Sequence, residues 1–453
     1  GARLVALGYS QISGLDHGDN FSPVVTKVTF RVALVMMLMN DWSSEIVDVE
    51  TAFLYGDLDK EIFMKMPEGM KEFFEEKSDQ NTLSYDENDC LVLKKSIYGL
   101  VQAARQFFKK VTRILSEELG FKKCLADQCL LIRTNNSGTV ILCLYIDDIC
   151  CIGNQEAIND FKRELKKSFN TKEEGNMTEY VGCKLNRVEK RLLVMHQSDL
   201  IKKLIKNFGE EITTMRKYVT PSTTRYYVTR PSKQEEVLNE KRQTKYRSGI
   251  GILMFLIKFS RPDIANAVRE LSKVNSGAFE SHYKVLLRVI KYVIDTKYYG
   301  LKYDLRKTEN NNLSTKWDME AYCDSDYAGD KESRKSVTGY GVYLQGCLIA
   351  WKSRGQKTVS LSSSEAEYLA IADVCTEIIF LHNMLCFLGI ETDYPIVVRC
   401  DNVGAIFLGY NAKTSQRTKH VDIKAHFIRE YVDQGIVKII FVKSEDNVSD
   451  IWT

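Results

Sequence analysis

The stretch 141–152 limits the folds open to this chain more than any other. It reads Ile-Leu-Cys-Leu-Tyr-Ile-Asp-Asp-Ile-Cys-Cys-Ile, a strand-like apolar run interrupted by the adjacent acids Asp147 and Asp148. An ionised carboxylate beside a dry core is costly unless it is paired or bound to metal. Two neighbouring carboxylates also repel, and a divalent cation removes that repulsion. The pattern predicts a β-hairpin with both aspartates at its tip. An ordinary Asp-containing hairpin turn fits the same letters.

A second acid points the same way. Asp48 ends a short apolar strand signal containing Ile46 and Val47, and the aromatic Phe53 follows shortly after. Phosphoryl transfer by two metals needs carboxylates that converge from separate strands, holding cations against the attacking and leaving oxygens. A nucleotidyl transferase also needs a wall against the sugar, which Phe53 can supply. A strand-end cap for Asp48 and a core position for Phe53 are the plain alternatives.

After residue 315 another acidic set begins. Asp324 and Asp326 end a strand signal, Glu365 and Glu367 open a long helix, Asp401 ends a further strand, and Asp450 lies at a helix start. Carboxylates on strand ends and first helical turns can converge on one pair of cations. Each acid also has a structural explanation. Glu365 and Glu367 both stand three residues after a serine, as in a capping box. Asp401 can cap the next helix, and pattern alone does not separate Asp324 from Asp326. Asp422 and His426 are one helical turn apart, which can hold a metal, but the stretch reads first as an exposed basic helix.

The 453 residues are material for roughly two to four domains, and 44% hydrophobic with 27% charged residues is ordinary for a globular protein. A formal charge of +3 is small beside 63 basic and 60 acidic residues, so any nucleic-acid track must be local. The 12 cysteines form no C-x-x-C pair, which argues against a zinc site and for buried thiols such as Cys143, Cys150 and Cys151 in a reducing compartment. The apolar stretches are expected to fall short of a membrane span. No secretory signal is evident, and both ends read as cuts through a longer protein.

Periodicity predicts an α+β chain. Helices are expected over 24–39, 100–119 (stopped by Gly120), 156–169 and 200–208 (stopped by Gly209), with strands over 45–48, 130–133 and 140–152 and a loop over 71–89. Polar residues 210–245, with Pro221 and Pro231, predict a linker. Helices over 248–259, 262–275 and 281–296 make an all-α middle block. A polar stretch at 306–314 marks a boundary, after which three strands, a long helix, a strand, helices and a strand follow.

Taken in order, these motifs resemble the reverse transcriptase and RNase H region of copia-type LTR retrotransposon Pol polyproteins. The resemblance is carried by Arg3-Leu-Val-Ala, Gly8-Tyr-Ser-Gln11, Phe21-Ser-Pro-Val-Val25, the Asp48–Leu58 run, the Ser96–Phe107 run, Tyr145-Ile-Asp-Asp148, Arg261-Pro-Asp263, Tyr299-Gly-Leu-Lys-Tyr303 and the Lys419–Glu430 run. It implies a right-hand polymerase, with fingers and palm over 1–215 and a helical thumb and connection over 216–312, then an RNase H-like α/β domain over 313–453. It implies Asp48, Asp147 and Asp148 as ligands of two Mg²⁺ ions, or Mn²⁺ in their place. Phe53 would be the steric gate against the ribose 2′-OH, Tyr98 and Gly99 would line the incoming dNTP, Arg3 would reach its triphosphate, and Gly182 would lie near the primer terminus. In the RNase H-like domain it implies Asp324, Glu367, Asp401 and Asp450 around two more Mg²⁺ ions, with Asp422 as second choice for the last acid.

The implied activity is RNA-directed DNA polymerisation with RNase H hydrolysis. The implied partners are an RNA template, a DNA primer, the RNA/DNA hybrid and dNTPs, without a membrane, beside protease and integrase segments of a parent polyprotein. The implied location is a cytoplasmic virus-like particle or the nucleus. Leu7, Ala104, Phe107 and the Cys150-Cys151 pair depart from the family's usual residues. Fingers text upstream of Gly1 and the last RNase H helix beyond Thr453 are also expected to be missing. The rival expectation is a catalytically inert relic that at most binds nucleic acid.

Overall fold

The computed structural model describes residues 4–70, 89–223, 226–229, 235–306, 316–411 and 427–453. Arg3, Asp422, His426 and nearly all of the loop expected over 71–89 lie outside the described residues. The chain divides into two compact units, Gly1–Thr26 with Ser43–Asn176, and Lys27–Trp42 with Met177–Thr453. Helix α1 (Lys27–Met39) and strand β1 (Ser43–Val49) are therefore chain neighbours in different units.

In the first unit, β2 (Phe63–Lys65) and β3 (Cys90–Val92) form a two-stranded ribbon ahead of helix α2 (Ala103–Arg113). The main sheet joins β1 to β4 (Lys122–Lys123), β5 (Leu130–Asn135), β6 (Gly138–Tyr145), β7 (Asp148–Gly153) and β8 (Thr171–Asn176). Its order is β4-β5-β6-β7-β1-β8, and its pairings are antiparallel. Residues 140–143 of β6 and 149–152 of β7 are fully buried, so the apolar run packs on both faces. Cys143, Cys150 and Cys151 are among them, as small apolar fillers. Helix α3 (Gln155–Leu165) buries Ala157, Ile158, Phe161 and Leu165, one face at helical spacing. After α2 a wide turn, Ile114–Glu118, continues to Gly120, whose φ of 72° ends the helix as expected.

The second unit opens with strands β9 (Glu179–Tyr180), β10 (Cys183–Glu189) and β11 (Leu192–His196), then helices α4 (Ser198–Ile212), α5 (Glu240–Phe259), α6 (Ala265–Ser272) and α7 (Glu280–Asp295). Strand β12 (Leu301–Asp304) completes a sheet of order β12-β11-β10-β9. The helices share one core around Phe208, Tyr246, Leu253, Val268, Leu286 and Ile290. Two expected boundaries move. Gly209, predicted to stop α4, lies inside it, because burying Phe208 and Ile212 outweighs the glycine's cost of about 1 kcal/mol. Helix α5 starts earlier than residue 248, because Asn239 caps it by accepting from Arg242 N at 3.0 Å. The Arg261-Pro-Asp263 motif is a brace: Arg261, 1% exposed, grips the Asp263 carboxylate and donates to the Thr296 carbonyl at 3.1 Å and hydroxyl at 2.8 Å.

The unit closes with a five-stranded sheet of β14 (Met319–Asp326), β15 (Val337–Leu344), β16 (Cys347–Gly355), β18 (Ile396–Cys400) and β19 (Val437–Phe441), while β13 (Lys316–Trp317) pairs separately with β17 (Glu391–Thr392). Its order is β16-β15-β14-β18-β19. The first three strands are antiparallel, and β18 and β19 run parallel to β14. This mixed sheet is RNase H-like. Helix α8 (Ser363–Phe387) corrects the expectation about apolar stretches. It is 25 residues long with a mean hydropathy of 1.6 over its most apolar window, long and apolar enough to cross a membrane. In this structure 61% of that window is buried, with Ala366, Ile371, Val374, Ile378 and Leu381 inside, so α8 is the core helix of the sheet. Helix α9 (Val403–Asn411) follows β18.

Candidate active sites

The palm-like site is built by strand register. β1 and β7 pair antiparallel so that Asp48 lies directly across from Asp148. Tyr145 pairs with Asp148 across the β6–β7 hairpin, leaving Ile146 and Asp147 as its two-residue turn. One oxygen from each of Asp48, Asp147 and Asp148 falls within 4.8 Å of the others. Ile146 has φ 59°, a left-handed conformation that a β-branched side chain rarely adopts. The Asp147 carbonyl, which accepts from Val49 N at 3.1 Å, helps hold the turn in that strained form. Burial, then Asp147 and Asp48, pushes the Asp148 carboxyl up to about 6. Burial and Asp147 raise Asp48 as well. Three hard oxygen donors that repel one another suit a divalent cation.

Phe53 sits in the short helical turn Ala52–Tyr55, entered through Thr51 at φ 52°. Its ring lies 4.7 Å from that of Tyr98. Gly99 has a backbone reason to be glycine: at φ 93° a Cβ would come within 2.0 Å of the Ala6 carbonyl. Ala6 N in turn donates to the Tyr98 carbonyl at 2.8 Å, clasping the N-terminal segment onto this turn. Gly182 stands in the second unit, at the β9–β10 turn, with φ 71°.

The second site gathers Asp324 from β14, Glu367 from the start of α8, Asp401 just after β18, and Asp450 from the short helix Val448–Trp452. Glu367 is 6% exposed; its Oε1 accepts from Ser325 N at 2.9 Å, and its Oε2 faces the Cys400 thiol at 3.7 Å. Ligand atoms of Glu367, Cys400 and Asp401 lie within 4.8 Å of one another. Burial above all, with Cys400, Asp324 and Asp401 adding, pushes Glu367 up to about 10. Asp324 rises to about 6 through burial, with Asp401 and Asp450 adding and the Thr453 hydroxyl opposing.

The geometry separates most of the alternatives left open by pattern. Glu365 serves the helix cap: Ser362 Oγ accepts from its N–H at 3.1 Å, and its own carboxylate accepts from Leu361 N, one residue before the cap, at 2.8 Å. Glu367 is thereby the buried member of the pair. Asn402, not Asp401, caps α9, accepting from Ala405 N at 2.9 Å. Asp326 shares a face of β14 with Asp324, and both line a cavity of about 720 Å³ together with Asp450. Cys400, Ser444 and Thr453 touch the acids and escaped the sequence reading. Cys400 lies beside Asp401 and could have been flagged by adjacency, but nothing local marks the two hydroxyls.

Residues 1–224, which carry all three palm-like acids, match the family described as "Reverse transcriptase (RNA-dependent DNA polymerase)". Over its whole length the chain is 33% identical to the Retrovirus-related Pol polyprotein from transposon RE2 of Arabidopsis thaliana and to that from transposon TNT 1-94 of Nicotiana tabacum. Along its whole length the chain is thus similar to copia-type Pol polyproteins. It spans 29% and 33% of the lengths of those two relatives. Among solved structures, a foamy viral protease-reverse transcriptase in complex with ds DNA aligns over 95% of this chain and 60% of that one, at 11% identity and a TM-score of 0.45. That likeness is too slight to bear on the fold, which rests on the strand orders above.

Proposed function

We propose that this chain is an RNA-directed DNA polymerase joined to an RNase H-like hydrolase. The observation that carries the reading is the register placing Asp48 opposite Asp148, with Asp147 in the adjoining turn. We assign fingers and palm to 1–215, thumb and connection to 216–312, and the hydrolase to 313–453. The substrates are dNTPs on a primed RNA or DNA template, and the RNA strand of the resulting hybrid. Protease and integrase segments belong to the parent polyprotein.

The carboxylates of both centres fit Mg²⁺, a hard cation that takes oxygen donors: Asp48, Asp147 and Asp148 each bring an oxygen within 4.8 Å of the others, and Asp324, Glu367, Asp401 and Asp450 stand together beside the Cys400 thiol. Bound there, Mg²⁺ supplies the positive charge that stabilises the attacking and leaving oxygens of an in-line displacement. Asp48, Asp147 and Asp148 would hold it at the primer 3′-OH. Phe53, backed by Tyr98, walls the sugar and excludes a 2′-OH. Gly99 lets the backbone of that wall approach the N-terminal segment closely. Asp324, Glu367, Asp401 and Asp450 would form the hydrolytic centre, where the buried Glu367 is oriented by Ser325 N.

The test is Mg²⁺-dependent primer extension on an RNA template by the purified chain. Extension that vanishes in Asp147→Asn supports the reading. Hybrid binding without extension would favour an inert relic.

A further inference from the structure

Two hydroxyls outside the acid set touch it. Thr453 Oγ1 donates to Asp324 Oδ2, and Ser444 Oγ donates to Asp401 Oδ2 at 2.6 Å. Both lie on the segment after β19 that also carries Asp450, so one stretch of chain delivers an acid and restrains two others.

That stretch is anchored on its own account. Asn447 Nδ2 donates to the Cys323 carbonyl at 3.0 Å, one residue before Asp324. Trp452 is 2% exposed and packs so closely on β15 that a Cβ at Gly341 would come within 2.5 Å of its ring. Ser353 Oγ donates to the Trp452 carbonyl at 2.6 Å, and Trp452 Nε1 donates to the Pro262 carbonyl at 3.2 Å. Thr453 is thus held at a fixed place. Its hydroxyl also reaches the Asp450 carbonyl, at 3.3 Å.

A carboxylate with one oxygen engaged by a fixed donor has lost freedom to rotate, and its orientation toward a metal is set in advance. We infer that Thr453 is a positioning residue of the hydrolytic centre, its hydroxyl fixing the Asp324 carboxylate for the cation, with Ser444 doing the same for Asp401. This inference rests on the reading of Asp324, Glu367, Asp401 and Asp450 as a metal centre.

The experiment is Mn²⁺ titration calorimetry on the full chain carrying Asp48→Asn and Asp147→Asn, so that the palm-like site is silent. Thr453→Val, which keeps shape and removes the hydroxyl, is expected to weaken binding about ten- to a hundred-fold. Thr453→Ser is expected to bind as the parent does, a rescue that mere turn packing would not give. Ser444→Ala leaves the Trp452 packing untouched and is expected to weaken binding in the same direction, so the inference stays testable if the valine variant folds poorly. Parent-like Mn²⁺ binding in Thr453→Val and Ser444→Ala would overturn the inference. If Asp324→Asn itself binds Mn²⁺ as the parent does, the metal-centre reading fails and the inference falls with it.

Discussion

The ring of Phe53 rests against that of Tyr98, centroids 4.7 Å apart and planes tilted by 48°. The two come from different segments, Phe53 from the turn after β1 and Tyr98 from the loop before α2. Phe53 also packs against a small core of Ile62, Leu100 and Ala103. The position of the wall is therefore set by a partner as well as by its own backbone.

Sugar selection should follow from that contact. Phe53→Ala is expected to lower the preference for dNTP over rNTP on the order of 100-fold, since the added space admits a hydroxyl. Tyr98→Leu should relax it in the same direction but less. Single-nucleotide incorporation with both substrates measures this, and unchanged selectivity in Phe53→Ala would remove the wall from the proposal.

The two centres should be separable. Asp48→Asn or Asp147→Asn is expected to cut primer extension on the order of 1,000-fold while leaving hybrid cleavage near the parental rate. Glu367→Gln should do the reverse. Paired assays on one preparation decide it, and joint loss in either variant would contradict two independent sites.

In the absence of metal, the palm-like acids should cost stability. Asp148 has its folded-state pKa raised from 3.8 to about 6, so its favourable contribution is present below about pH 4 and is lost as pH rises through about 6. At pH 7 in chelator, Asp148→Asn is expected to stabilise the chain, by about 1 kcal/mol once screening of this half-exposed group is allowed for. Adding Mg²⁺ should stabilise the parent more than the variant. A lower thermal midpoint for Asp148→Asn in chelator would refute the repulsion.

Glu367 should give a wider pH signature. Its folded-state pKa is raised from 4.5 to about 10, so its contribution is present below about pH 4.5 and declines across the whole neutral range. The slope is about 1.4 kcal/mol per pH unit, or up to about 3 kcal/mol lost by pH 7. Urea unfolding in chelator between pH 5 and 8 is expected to be flatter for Glu367→Gln than for the parent. Equal slopes would mean that Glu367 is not buried as a proton-binding group.

Much of the fold was legible because its signals are local. The apolar run around Asp147 and Asp148 announced a hairpin, and Gly120 announced a helix end. Element boundaries moved where tertiary burial outweighed propensity, as at Gly209, or where a cap lay ahead of the apolar pattern, as at Asn239. Helix α8 was the clearest misreading. Its apolar length meets the requirement of a membrane span, and its burial beneath the β14–β15 sheet becomes visible only once the chain is folded.

What the sequence determined by itself is the inventory: the acids, their strand and helix settings, and their order along the chain, because hydrophobic period and turn chemistry act over a few residues. Tertiary structure alone decided which acids meet. Register set Asp48 against Asp148, a cap consumed Glu365 and left Glu367 for the core, and Thr453 reached Asp324 across more than a hundred residues of chain. Contacts of that separation are chosen by packing and strand pairing, which no local window of sequence encodes.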